Sequence, residues 1–253
     1  MEMRYLQSRL RRAVDDYGMI NSGDRIAVGL SGGKDSMTLL AGLAGLKKYY
    51  GSRFELIALT LDMGFSQDED FTLQREFCER HGVNLTVKKT EIGPIIFDVR
   101  KEQNPCALCA KMRRGALANL AIELDCNKIA LGHHMDDAIE TMMLSLFYEG
   151  RINCFSPVTY LSNTKITTIR PLIYVEEADI RAFVKKHDVP VYQNPCCANG
   201  TTKRQYIKEL LLKLEDDMPG LRSRVFGAIQ RAEINGWQVE SKGRKQPSVD
   251  VEE

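Results

Sequence analysis

The sequence predicts an α/β fold, a doubly wound parallel sheet followed by a helical C-terminal region. Short apolar runs at 26–30, 54–61 and 84–88 alternate with segments of helical periodicity, and strand-helix-strand-helix-strand is the order of parallel strands joined by crossover helices. The first run ends at Ser31-Gly32-Gly33, beyond which Met37, Leu40, Ala41 and Ala44 take up the i, i+3, i+4, i+7 spacing of a helix. A sheet of this type binds its ligands beyond the carboxyl ends of its strands.

Residues 1 to about 20 read as a helix with Tyr5, Leu6, Leu10, Ala13, Val14 and Tyr17 on one stripe and Arg4, Arg9, Arg11 and Arg12 on the other faces. The turn Asn21-Ser22-Gly23-Asp24 leads into the first strand. After the helix that follows the glycines, the run 54–61 stops at Asp62, a helix spans about 69–81 with Gly82 at its end, and a strand spans 84–88. Residues 90–105, with two prolines and little periodicity, read as a connector. Then come a helix from about 106 to 124, a strand at 128–131, a helix from about 134 to 148 closed by Gly150, a loop over 151–163, a strand at 165–170 and helices at 176–187, 202–214 and 221–233. The division expected is an N-terminal helix (1–22), a domain built on the parallel sheet (23–190), a cysteine loop with C-terminal helices (191–240) and a charged, disordered tail (241–253).

With 253 residues the chain is long enough for a full core. Thirty-five Lys and Arg balance 34 Asp and Glu to a net charge of +1, so a nucleic-acid partner would have to be met by a local basic patch. No run approaches the length of a membrane span and residues 1–18 lack the apolar core of a signal peptide, which predicts a cytoplasmic protein with no membrane partner. Seven cysteines, an odd count, then favour metal or thiol chemistry over a disulfide framework.

Strand, glycine turn and helix together make a phosphate cradle: glycines let backbone N–H groups reach an anion, and the helix start adds unpaired donors and partial positive charge. The string is neither GxxxxGK[ST] nor GxGxxG. A second constellation, Leu131-Gly132-His133-His134-Met135-Asp136-Asp137-Ala138-Ile139-Glu140, opens a later helix. There Met135, Ala138, Ile139, Met142, Met143 and Leu146 form the apolar stripe and leave Asp136, Asp137 and Glu140 together. One or two acids would complement the helix dipole. Three suggest Mg²⁺, which takes carboxylates plus phosphate oxygens.

Cys106 and Cys109 form a CxxC at a helix start, where the dipole stabilises thiolates. Arg113 lies on the same face, and Cys196-Cys197 follow in a distant loop. Three ligands with one open position suit either a 4Fe-4S cluster or a catalytic zinc, with a redox pair as a third option. Cys78, Cys126 and Cys154 have no partner pattern and read as core residues.

The string SGGKDS resembles the PP-loop of the ATP pyrophosphatases, a Rossmann-like fold of the adenine nucleotide alpha-hydrolase type. Together with LDxGF, CxxC followed by MRRG, GHHMDDxxE, IRPLIYVEE and a cysteine loop before TKRQ, it resembles the tRNA 2-thiocytidine synthetase family over roughly residues 20 to 210. The resemblance implies that Ser31, Gly32, Gly33, Lys34, Asp35, Ser36, Asp62, Gly132 and His133 bind ATP, with Lys34 also catalytic. It implies that Asp136, Asp137 and Glu140 bind magnesium, and that Cys106, Cys109 and Cys196, with Cys197 as the alternative third ligand, hold a 4Fe-4S cluster. Asp137 and Arg113 are the implied catalytic groups, although Arg113 stands where a relative has lysine and an arginine cannot act as a base. The implied reaction adenylates the C2 oxygen of a cytidine, cytidine 32 of the anticodon loop, and replaces it with sulfur from a cysteine desulfurase or free sulfide. The implied assembly is a homodimer. tRNA contacts are expected from the N-terminal helix, MRRG and Lys203-Arg204. Thiolases of tRNA uridines typically carry further CxxC pairs near the N-terminus, whereas residues 1–25 contain no cysteine. A PP-loop ligase needs no cysteine set.

Overall fold

The computed structural model describes residues 1–65, 69–100, 105–192, 203–232, 234 and 236–238, the side chains of Asp98 and Cys106 excepted. Its strands form one six-stranded sheet in the order β3-β2-β1-β4-β6-β5. They are β1 (Arg25–Gly29), β2 (Glu55–Asp62), β3 (Asn84–Lys89), β4 (Lys128–Ala130), β5 (Val158–Leu161) and β6 (Ile166–Ile169). All pairs are parallel except β5 with β6. The chain runs outward from β1 to β2 and β3, then returns to lay β4 on the other side of β1, with Ile26 opposite Lys128 and Val28 opposite Ala130. That reversal opens a crevice between the carboxyl ends of β1 and β4.

The helices are α1 (Met3–Asp16), α2 (Lys34–Leu46), α3 (Thr72–Arg80), α4 (Ile92–Pro94), α5 (Pro105–Glu123), α6 (Met135–Leu144), α7 (Glu177–Lys186), α8 (Lys203–Asp217) and α9 (Leu221–Arg231). α2 is apolar almost all round and lies wholly inside the largest core cluster, between the sheet and α1, which buries Leu6, Leu10, Ala13 and Val14. The same cluster reaches Ile207, Phe226 and Trp237, so the C-terminal helices share this core. A second cluster, with Ala118, Leu120 and Ala121 of α5 against Ile129 and Leu59, covers the opposite face of the sheet.

Three local expectations differ from the structure. The connector contains α4 and a π-helical continuation, Ile95–Arg100, because Ile92 and Ile96 bury against Met63 at the end of β2. Residues 158–161 pair as an edge strand, which a short run with one exposed face does not announce. Leu146 does not continue the inward stripe of α6: after Leu144 the helix widens into a π turn, Ser145–Glu149, and Leu146 is 42% exposed. Cys196, Cys197 and the tail from residue 241 lie outside the described residues.

At the amino edge of the sheet, opposite the crevice, a buried ion pair staples β1 to β4. Lys128 Nζ lies 2.7 Å from Asp24 Oδ2 and donates to the Met19 carbonyl at 2.9 Å, while Asn127 Nδ2 and the Asn21 N–H donate to the two Asp24 oxygens. Burial alone would raise the Asp24 pKa, but these donors hold it below the usual carboxylate value. A carboxyl depressed in the folded state contributes stability that is present above its unfolded pKa, about 3.9, and is lost as pH falls through the folded value. Asp24→Asn, which strands a buried ammonium, is expected to cost about 3–5 kcal/mol at pH 7. Denaturant titrations between pH 7 and 3 should also show it losing less stability on acidification than the parent.

Candidate active site

The cradle is a turn in which each serine works twice. Ser36 Oγ donates to the Gly33 carbonyl at 3.0 Å and accepts the Ser31 N–H at 3.2 Å, and Ser31 Oγ lies 3.2 Å from Ser36 Oγ and accepts from Gly33 N–H at 3.4 Å. Gly32 has φ +78°, and a Cβ there would meet Gln74 Nε2 at 2.8 Å and Tyr192 Cβ at 3.0 Å, so both conformation and space require glycine. The Tyr192 N–H donates to the Gly32 carbonyl at 2.9 Å. Beyond the turn, α2 points its N-terminus into the crevice, a ready anion site.

Gly132, at the end of β4, lies against that N-terminus: a Cβ would stand 3.0 Å from Asp35 C and 3.1 Å from Ser36 N, both backbone atoms. His134 is buried, and its Nε2 lies 3.7 Å from Asp35 and 3.4 Å from Asp137. The loops after β1 and β4 therefore meet as one site, which joins Ser31–Ser36 with Gly132 and the start of α6. Lys34 Nζ is 2.9 Å from Asp35 and 3.1 Å from Glu177. Burial opposes its charge, but these two carboxylates raise its pKa above the ordinary lysine value and keep it protonated.

The three acids of α6 do not converge. Asp136 turns inward, accepting the Glu177 N–H at 2.7 Å and an Arg222 N–H at 2.8 Å, which locks α6 to α7 and α9. Asp137 Oδ2 accepts the His134 N–H at 3.0 Å and caps the helix. Asp137 Oδ1 and Glu140 Oε2 share Arg204, at 3.5 and 3.1 Å. Among the described residues no group of three or more His, Cys, Asp or Glu is arranged to hold a metal ion.

Asp62 is buried at the end of β2, where its Oδ1 accepts the Gly64 N–H at 2.9 Å. Glu69 faces it. Burial, then the hydrogen bond and negative charge of Asp62, push the Glu69 carboxyl above its usual pKa. On the far side His133 stacks on Phe155, centroids 5.0 Å apart, and Arg170 lies 4.9 Å over the same ring. Burial, then the Arg170 charge, push His133 down to about 4, so it is a neutral imidazole at neutral pH.

Cys109, half-buried on α5, packs in the apolar cluster of Met63, Ile92 and Ile96, on the same carboxyl edge as Asp62. Arg113 is exposed one turn later. The Cys106 side chain, Cys196 and Cys197 fall outside the described residues. Burial pushes the thiols of Cys78 and Cys154 up to about 12 and also raises that of Cys126, so these three are inert core residues and leave the CxxC pair and the 196–197 pair as the available donors.

Several site residues carry no motif of their own. Glu177 binds Lys34, Lys208 at 2.6 Å and Arg181 at 3.0 Å; burial would raise its carboxyl, but these cations hold it well below the usual range. Arg222 stands outside every motif, whereas Arg170 and Glu177 fall within IRPLIYVEE and Arg204 within TKRQ, strings that do not say which group each side chain meets.

The family model for the PP-loop domain matches residues 3–215. The tRNA-cytidine(32) 2-sulfurtransferase of Syntrophotalea carbinolica is 40% identical over 231 residues, covering 89% of this chain and 88% of that protein. The enzyme of the same name from Geotalea daltonii is 38% identical over 227 residues, covering 88% and 90%. Among solved structures, the U34-tRNA thiolase NcsA from Methanococcus maripaludis with its [4Fe-4S] cluster aligns with a TM-score of 0.75 at 22% identity, over 90% of this chain and 78% of that one. At that identity the likeness shows the fold. NMN synthetase from Francisella tularensis, at a TM-score of 0.55 and 16% identity over 92% and 95%, shares it more distantly.

Gly132→Ala is expected to push the first turn of α2 by a few tenths of an ångström and to lower ATP turnover by about tenfold, less than the roughly 10²-fold that a 1 Å displacement brings at a reacting group. Steady-state pyrophosphate release measures it. Turnover equal to the parent's would place the nucleotide elsewhere than the N-terminus of α2.

Proposed function

This chain belongs to the PP-loop family, among the tRNA 2-thiocytidine synthetases, and from that premise we propose that it is an ATP-dependent sulfurtransferase that converts cytidine 32 of a tRNA anticodon loop to 2-thiocytidine. One observation carries the reading beyond the family: a single edge of the sheet gathers the phosphate cradle, the start of α6 and Cys109.

In this reading the triphosphate of ATP lies on the N-terminus of α2, with the Gly32–Gly33 backbone and the Ser31 and Ser36 hydroxyls around it. Lys34, kept cationic by Asp35 and Glu177, offsets charge that builds on the phosphates as pyrophosphate leaves. The C2 oxygen of cytidine attacks the α-phosphorus, the bond to pyrophosphate breaks, and the C2 oxygen becomes part of an AMP leaving group. Sulfur then adds at C2 and AMP departs with that oxygen. Asp137, a quarter exposed, is the acid of the pair that faces the crevice, while Asp136 holds the helices in place.

Magnesium takes one or two carboxylates and fills its shell with phosphate oxygens and water. Asp137 and Glu140, whose carboxylates Arg204 holds beside the crevice, would take that role by exchanging this cation for the metal, whereas the contacts of Asp136 tie α6 to α7 and α9. A [4Fe-4S] cluster on Cys106, Cys109 and Cys196 or Cys197 would supply an iron with no protein ligand at which sulfur can be held. The division of the chain at 22, 190 and 240 and the cytoplasmic location are carried over from the sequence pattern, and the homodimer and a sulfur atom from a desulfurase or free sulfide from the resemblance. Among the described residues no helix is long and apolar enough to cross a membrane.

Nucleoside analysis of tRNA from cells with and without the gene tests the product: loss of 2-thiocytidine is the expected result, and loss of a thiouridine would overturn the assignment. Protein purified without oxygen should be brown, and Cys109→Ser should lose most of its iron by elemental analysis; a colourless protein with stoichiometric zinc would refute the cluster.

A further inference from the structure

The end of α6 turns its apolar side chains the wrong way for a core. Three consecutive helical residues fan over about 200°, so a regular continuation would bury at least one of Leu146, Phe147 and Tyr148. Instead the chain widens into the π turn Ser145–Glu149, a distortion often found at functional sites. Ser145 takes the inward position, and Leu146, Phe147 and Tyr148 are 42%, 52% and 45% exposed.

The neighbours of this patch are cations. Lys203, the first residue of α8, holds its ammonium 4.5 Å from the centre of the Tyr148 ring. The next residue, Arg204, donates to Thr141 Oγ1 at 3.1 Å and pairs with Glu140 and Asp137. Tyr148 is therefore joined to the mouth of the crevice, the cation on its ring and the cation on the site's carboxylates being consecutive residues of α8. Tyr206, 59% exposed, stands one turn further along α8.

We infer that Phe147 and Tyr148, flanked by Lys203 and Arg204, form a stacking platform for unpaired RNA bases beside the reacting nucleotide. The inference rests on the RNA-modifying reading above and adds to it the surface that holds the substrate. Sequence-specific proteins take single-stranded RNA by splaying bases onto aromatic rings and guanidinium planes and meeting the backbone with positive charge. A base worked on by an enzyme must leave its stack, so its neighbours need somewhere to lie. The charge pattern favours RNA over a second copy of the chain, because protein interface cores are depleted of lysine. With a net charge of only +1, attraction to a polyanion has to be local, and here it is.

An unmodified tRNA transcript, titrated by fluorescence anisotropy into the full-length protein, tests this. Phe147→Ala/Tyr148→Ala is expected to weaken RNA binding by about tenfold to a hundredfold, with ATP affinity and the mass by light scattering unchanged. Tyr148→Phe should bind as the parent does and Tyr148→Leu should not, which separates stacking from mere apolar cover. RNA affinity unaltered in the double variant would overturn the inference, and a shift to a smaller assembly with RNA binding intact would assign the patch to self-association instead. A parent protein that binds ATP but no tRNA would overturn the RNA-modifying reading and this inference with it.

Discussion

A Cβ on residue 132 would press to within 3.0–3.2 Å of the backbone of Asp35 and Ser36. Parallel pairing of β1 with β4 brings the turn after one strand against the first turn of the helix after the other, until Gly132 touches the backbone of Asp35 and Ser36. The phosphate cradle and the His-Asp start of α6 are one site because of that contact. The pairing is held from the far edge by Asp24 and Lys128, a buried pair whose Coulomb gain is backed by hydrogen bonds to the remaining atoms.

Around this centre the charges are arranged in layers. Glu177 accepts from Lys34 of the cradle and Lys208 of α8, Asp136 from Arg222 of α9, and Asp137 and Glu140 from Arg204. Asp136, Asp137, Glu140 and Glu177 thus each meet a cation from α8 or α9. Helices α8 and α9 consequently wall the crevice from outside, and their cations hold its acids. The same wall carries Lys203 and Tyr206 outward, so the outer face of the site is cationic and aromatic together.

The strands were legible wherever they lie inside the sheet, since a strand buried on both faces reads as a continuous apolar run. β5 was not, being short, at the edge and wet on one side. The connector before the CxxC pair was misread because its helix is held by tertiary contacts of Ile92 and Ile96 rather than by its own periodicity. Leu146 was assigned to the core on spacing that assumes a regular helix, and the π turn cancels it. SGGKDS and GHHMDD, which the structure brings together at one crevice, stood out because each is a contiguous string. Asp136 was grouped with its neighbours on a helical wheel, but which way an acid turns depends on the N–H and the guanidinium that reach it, and these belong to α7 and α9.

By itself the sequence determined the strand-helix alternation of the first half, the strand-glycine-helix cradle, the candidate cysteines and the family, all of which follow from local periodicity and short strings. Only the tertiary structure decided that Gly132 packs against the cradle, that Glu177, Arg204 and Arg222 govern the charges beside it, and that Phe147 and Tyr148 face outward. Those properties depend on which distant residue arrives beside each side chain, and for charge, burial and exposure it is that neighbour, not the position in the string, that sets the energy.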